Sequence, residues 1–344
     1  MIWFTLALFV VSFLIVALLA PKPNIENARA DSLDNVNFPR ATEDAPIPLI
    51  LGRVRMKAPN TIWYGDFEAV PITEKVKTGL FSSKRVTVGY TYYLGLNLAL
   101  GMGPGTVLRE IYIDDKSAWS GTAGPGASAV NGIYLNLGGY KKGGSFRSNA
   151  VYYSGELDLV NQPINGYLEG QIGAGNVPAY LGTAHIVFPK AELGESAQLR
   201  KMAFILENST NALGLPNSGK IGDDMNPAEA IYQIMTNTWR GMGVDPAVID
   251  TTSLSAIGNT LYTEGNGVSV VVTAESTGSS LVQEILRQID GVAYQDPDTG
   301  RIIFKLIRDD YVVEDLPVYD EDDVIKVQNF SRTSWDEVIA QVKI

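Results

Sequence analysis

One segment has a spacing that promises phosphate chemistry. Gly214-Leu215-Pro216-Asn217-Ser218-Gly219-Lys220 matches the G-x-x-x-x-G-K pattern. A working phosphate loop also needs Ser or Thr after the lysine to hold magnesium, and a helix that opens at once. Here Ile221 and then Gly222-Asp223-Asp224 follow, so a surface loop is expected. The single histidine, His185, lies in Ala184-His185-Ile186-Val187-Phe188. A catalytic histidine needs a nucleophile and an orienting carboxylate, and no serine elbow is present, so His185 reads as a structural strand residue. Asp114-Asp115 sits between two apolar stretches and reads as a turn. Asp320-Glu321-Asp322-Asp323 lacks the alternate-residue ligands and the glycine of a calcium loop, which leaves a solvated acidic turn. Tyr90, Tyr92 and Tyr93 read as strand packing rather than a platform for sugars or bases. Nothing among the 38 acidic residues selects a glycosidase-like pair.

Composition narrows the chemistry further. The chain has 344 residues and no cysteine, which removes disulfides, thiolate metal sites and a cysteine nucleophile. One histidine leaves no multi-histidine metal centre. The net charge of −11 repels phosphate backbones and argues against sequence-independent nucleic-acid binding. No catalytic, cofactor or metal site is expected, and the chain reads as a non-enzyme.

The elements that would hold any site are mainly strands. The 34 glycines and 16 tyrosines suit a turn-rich β protein. An α+β, mainly β fold is expected, in six parts: an apolar helix over 1–20, an extended arm over 21–46, a β-rich domain over 47–120, a glycine-rich β insertion over 121–182, return strands and a loop over 183–225, and an α+β domain over 226–344. Thr73 to Arg85, with Lys75, Lys77, Lys84 and Arg85, is expected to be a hairpin loop. Asn226-Pro227 opens a helix by cap chemistry, with Ile231, Ile234, Met235 and Trp239 on one face and Gly241 at its end. Asp245-Pro246 starts a short second helix, Ser253 caps a third, and Leu281 to Ile289 forms a fourth. Asp296-Pro297-Asp298-Thr299-Gly300 is the turn of a hairpin. The sequence stops at Gln341-Val342-Lys343-Ile344 inside an apparent strand, which reads as the front of a longer polypeptide.

Ile2 to Ala20 carries no charged side chain. As a helix it would be about 28 Å long, matching the hydrocarbon core of a bilayer. Its apolar surface includes Ile2, Trp3, Phe4, Leu8, Val11, Ile15, Leu18 and Leu19. A cleaved signal wants a basic start, yet Lys22 is the first charged side chain. A simple anchor wants a basic flank, yet Lys22 and Arg29 are interleaved with Glu26 and Asp31. Beside these two, the favoured reading is a helix hidden inside an assembly, and it is of a length to enter a membrane.

Several stretches together resemble the tail-tip hub proteins of long-tailed bacteriophages, the tip attachment protein J-like family also found in gene transfer agents. They are Ala45-Pro46-Ile47-Pro48-Leu49-Ile50-Leu51-Gly52-Arg53-Val54, Pro59-Asn60-Thr61-Ile62-Trp63-Tyr64-Gly65-Asp66, and Tyr92-Tyr93-Leu94-Gly95-Leu96-Asn97-Leu98-Ala99-Leu100-Gly101. Ile111-Tyr112-Ile113-Asp114-Asp115-Lys116 with Trp119, Asn226-Pro227-Ala228-Glu229-Ala230-Ile231 and Ile285-Leu286-Arg287-Gln288-Ile289-Asp290-Gly291-Val292 continue the likeness. It covers residue 45 to the end, least in 120–180, and the apolar N-terminal segment departs from it. The resemblance implies β-rich domains of a trimeric tail-tip or baseplate hub that closes the tail tube, joins it to fibre elements and opens for genome delivery. It implies as partners two further copies of the chain, the distal tail protein, the tape-measure protein and other tail-tip proteins. Host membrane contact would run through the N-terminal helix, and DNA would be met only in transit. A membrane-anchored envelope β protein with a binding role is the alternative.

Overall fold

A computed structural model describes residues 27–33, 45–77, 83–136, 145–274, 276–309, 311–320 and 322–323. The segment Ile2–Ala20 and the chain from 324 onward lie outside the described residues, so the expected apolar helix and terminal strand are not among the elements below. The chain divides into two units, 1–305 and 306–344.

The first unit is built on two antiparallel five-stranded sheets. Its strands are β1 (Leu49–Lys57), β2 (Asn60–Lys77), β3 (Ser83–Met102), β4 (Val107–Ile113), β5 (Lys116–Ala123), β6 (Ala127–Asn136), β7 (Ser145–Ser154), β8 (Thr183–Gly194) and β9 (Met202–Asn208). Short β10 (Lys220–Ile221) and β11 (Asp224–Met225) form a ribbon, and β12 (Val270–Val272) returns to the sheets. One sheet has the order β12-β1-β9-β4-β5 and the other β2-β3-β8-β7-β6. The mainly β, α+β expectation holds for the described residues.

Alternation places the core between the sheets. Ile50 and Val54 of β1, Leu108 and Ile111 of β4, and Phe204 and Leu206 of β9 share one cluster with Leu94, Leu96 and Leu98 of β3 and with Phe146, Tyr152, Ile186 and Phe188. Within β3 the even-numbered residues enter this core, yet Asn97 is also fully buried. The reason is a second cover on the outer face. Helix α1 (Gly166–Ile172) and the connection around it lay Leu168 and Val177 on Tyr153 and Val187, with Trp63 and Tyr167 at the margin. A strand covered on both faces loses its alternation. Asn165 caps α1 by accepting from Tyr167 N and Leu168 N, which fixes that cover to the sheet.

The 121–182 stretch therefore contains regular β6 and β7 as well as turns. Its glycines do more than turn the chain. A Cβ on Gly155 would fall on Gly103 and Ala184 backbone atoms, so Gly103 and Gly155 allow two backbones to touch.

Three helices follow: α2 (Pro227–Thr236), α3 (Thr251–Glu264) and α4 (Gly278–Gln288), with the hairpin β13 (Gly291–Gln295) and β14 (Ile302–Leu306). Asn226 caps α2, as its sequence implies. Three expectations need correction. Helix α2 ends at Thr236, because Asn237 turns its side chain to accept from Trp239 N and Arg240 N, so Trp239 leaves the helical face and is 57% exposed. Asp245-Pro246 opens only a 3-10 turn, Pro246–Val248. Asp250, not Ser253, caps α3, accepting from Ser253 N at 2.7 Å. The described part of the second unit holds a 3-10 turn, Val313–Asp315, and an acidic turn in which Asp322 N donates to Asp320 Oδ1.

Candidate assembly surface

The P-loop-like segment is built to exclude phosphate. Asn217 and Ser218 take left-handed φ values of 49° and 56°, and no phosphate-binding helix opens after Lys220, which starts β10 instead. Leu213 N, just before the segment, donates to Glu229 Oε1 at 2.6 Å. Glu229 is fully buried on the first turn of α2, and burial pushes its carboxyl above the usual range. Lys220 Nζ turns to Glu207 Oε1, while Arg109 Nε donates to Glu207 Oε2 at 2.8 Å. Burial acts to raise the Glu207 carboxyl, but the two cations outweigh it and hold it low. Lys220→Met should therefore leave ATP unbound, as in the wild type, and lower stability by about 1–2 kcal/mol in urea unfolding. Saturable ATP binding that the substitution abolishes would overturn this assignment.

The other candidates are also structural. His185 is buried with its ring stacked on Tyr153, centroids 4.5 Å apart, and tilted against Tyr180 at 5.0 Å. Asp114 and Asp115 form the β4–β5 turn with φ of 47° and 61°; Asp114 pairs with Arg200 and Asp115 with Arg55, each at 2.6 Å. Among the described residues no group of three or more acidic or histidine side chains could hold a metal ion. None of their helices is long and apolar enough to cross a membrane. Ile2, Trp3, Phe4, Leu8, Val11, Ile15, Leu18 and Leu19 lie outside the described residues.

What the sequence hides is a ribbon. The Lys-rich stretch expected as a loop is mostly strand, since β2 runs 18 residues to Lys77 and β3 runs 20 from Ser83. From Tyr92 to Ala99, β3 pairs with both β2 and β8. From Ser83 to Thr91 its only strand partner among the described residues is β2, over about 30 Å of ladder. Phe67 stacks on Tyr92 at 5.9 Å at the root of this ribbon. The segment before the sheets fastens to it as well: Ala28 N donates to Thr87 O at 3.0 Å, and Asp31 N to the Tyr92 hydroxyl at 3.0 Å.

Near the ribbon's end Lys75 faces Arg85 directly across the ladder, with Lys84 and Lys77 beside them, all exposed. None of the four has an ion-pair partner among the described residues. Like charges opposite one another destabilise a strand pair. A two-stranded ribbon is itself only marginally stable in water. The arrangement concentrates positive charge on the ends of β2 and β3, in a chain whose net charge is −11. Chemically it can do one thing well, which is to take an acidic surface or strand edge along its length.

No protein-family model matches this chain, and no curated protein matches it. Among solved structures it is similar to a chain of the "Virion of native gene transfer agent (GTA) particle", at 18% identity and a TM-score of 0.48. The likeness covers 86% of this chain and 58% of that one, so this chain spans less than two thirds of its length.

Proposed function

We propose that the chain is a structural protein of a phage-like virion: a trimeric tail-tip hub that closes the tail tube, joins it to fibre elements and opens when the genome leaves. The observation that carries this reading is the β2–β3 ribbon. Its end, where exposed Lys75 and Arg85 face each other with Lys77 and Lys84 beside them, is poorly stabilised within one chain and gains from a neighbour. The resemblance of the stretches quoted above to tail-tip hubs supplies the kind of neighbour, namely two further copies and the distal tail, tape-measure and other tail-tip proteins. In this reading the chain catalyses nothing and holds no cofactor. Its side-chain clusters at Glu207, Glu229 and His185 serve the fold, and DNA is met only in transit.

Quantitative mass spectrometry of purified particles, with labelling at one end of the tail, tests it. Three copies at the tip away from the head are expected; six copies, or absence from particles, would sink the reading. The uncharged stretch Ile2–Ala20 favours a second reading, a membrane-anchored envelope protein with a binding role. In that case the chain would sediment with membranes from cells that make no particles.

A further inference from the structure

The outer face of the second sheet is divided. One part lies under α1. The other is not covered by any described residue, and there a single cross-strand row runs through all five strands. Tyr134 of β6 is opposite Arg147 of β7, Arg147 opposite Glu192 of β8, Glu192 opposite Tyr93 of β3, and Tyr93 opposite Glu68 of β2. Directly opposed residues project from the same face, so the five side chains form one line roughly 19 Å long. The order is aromatic, cation, acid, aromatic, acid. The Arg147 guanidinium lies 5.4 Å from the centroid of the Tyr134 ring, and Ser145 Oγ donates to Glu192 Oε1 at 3.2 Å. Lys190 Nζ reaches Glu68 Oε2 at 2.5 Å.

The surface under the row is not flat. The β6–β7 register shifts between Val130 and Ile133, and the β7–β8 register shifts between Arg147 and Val151. Lys190 takes a left-handed φ of 51° beside them. These irregularities open a recess of about 710 Å3, lined by Tyr93, Tyr134, Arg147, Asn149, Lys190 and Glu192. That volume is within the range of small-ligand sites.

An ordinary solvated sheet face carries scattered polar side chains and no recess. This one sets two tyrosine rings on either side of a guanidinium and a carboxylate. Tyrosine offers an apolar face with a polar rim. Guanidinium, carboxylate and amide groups each present paired, coplanar donors or acceptors. Linked pyranose rings carry the complementary features, which are C–H faces that pack on rings and adjacent hydroxyls that pair with planar groups. Charge selects among polymers. Arg147 and Lys190 are balanced by Glu192 and Glu68, whereas a polyanion needs a surplus of cations.

We propose that this row is a binding site for a neutral oligosaccharide. The tyrosines, about 14 Å apart across three strand spacings, stack on sugar rings some three units apart, and Arg147, Asn149 and Glu192 take the hydroxyls between them. The site is complete within one chain, so its test does not depend on assembly. Saturation-transfer NMR on the full chain, with millimolar cellohexaose, maltohexaose and chitohexaose in turn, is the direct measurement. Transfer to at least one of the three is expected. Tyr134→Ala and Glu192→Gln should each weaken it tenfold or more, and Tyr134→Phe should retain it, with far-UV circular dichroism unchanged in all three variants. No transfer to any of the three sugars would overturn the proposal, and so would equal transfer from wild type, Tyr134→Ala and Glu192→Gln.

Discussion

Reversing the four cations of the ribbon is expected to yield a folded chain that no longer enters particles. The variant is Lys75→Glu, Lys77→Glu, Lys84→Glu and Arg85→Glu, all at exposed positions. Exposed substitutions of this kind change stability by about 0.5 kcal/mol or less each, and the Lys75/Arg85 pair stays like-charged whichever sign it carries. The melting temperature should therefore move by only a few degrees, while incorporation falls at least tenfold. A control separates the ribbon from net charge. Lys57, Lys116, Lys201 and Lys305 are exposed away from it, and reversing those four shifts the chain's charge by the same amount. If docking is electrostatic and local, the control assembles and the ribbon variant does not. The attraction should also weaken as salt rises, because the Debye length falls from about 10 Å at 0.1 M to about 3 Å at 1 M. Equal incorporation of the two quadruple variants would remove the ribbon from the assembly mechanism.

The ribbon also shows where sequence reading fails. Lys75, Val76 and Lys77 look like loop because their own side chains are exposed or only half-buried, and without burial there is no alternation to read. Cap chemistry is local, and it was legible where it was unique. Asn226-Pro227 names the start of α2 because Asn226 Oδ1 can reach Ala228 N, at 3.0 Å, whatever surrounds it. Asp250-Thr251-Thr252-Ser253 presents four cap-forming residues in a row. A distant bond settles the choice, since Ser253 Oγ is engaged by Phe304 N at 3.2 Å. The P-loop-like segment is readable as defective from Ile221 alone, but the pairing of Lys220 and Arg109 with Glu207 is known only from the fold. Cross-strand register is hidden in the same way. Nothing in the spacing of Arg147 and Glu192 says they are opposite, and Tyr93, which the run Tyr90, Tyr92, Tyr93 presents as one cluster, points the other way from Tyr92.

Acidification should destabilise the first unit through His185 before its carboxylates account for the loss. The ring is 2% exposed between Tyr153 and Tyr180, and Nδ1 is hydrogen-bonded to Thr183 O at 3.0 Å. A carbonyl only accepts, so Nδ1 carries the proton and Nε2 is the basic nitrogen. Burial pushes the pKa down to about 4, and the Thr183 carbonyl only partly offsets it. The unfolded chain protonates near pH 6.5, whereas the folded one stays neutral to about 4. Between these values the unfolded state binds the extra proton, so stability falls with falling pH in that window and this group's contribution levels off below it. The difference corresponds to about 3 kcal/mol. Glu229 acts in the opposite sense, because its raised carboxyl pKa lets the folded state take up a proton first as pH falls. A variant that leaves Glu229 untouched therefore isolates the histidine. His185→Phe keeps a ring between the two tyrosines and has nothing to protonate. Urea unfolding at pH 7.5 and pH 4 should show a drop in the wild type larger than in His185→Phe by about 3 kcal/mol. Parallel losses in the two proteins would mean that the histidine is solvated or rehoused on acidification, and that its stacking between Tyr153 and Tyr180 does not hold the outer face of the sheet closed.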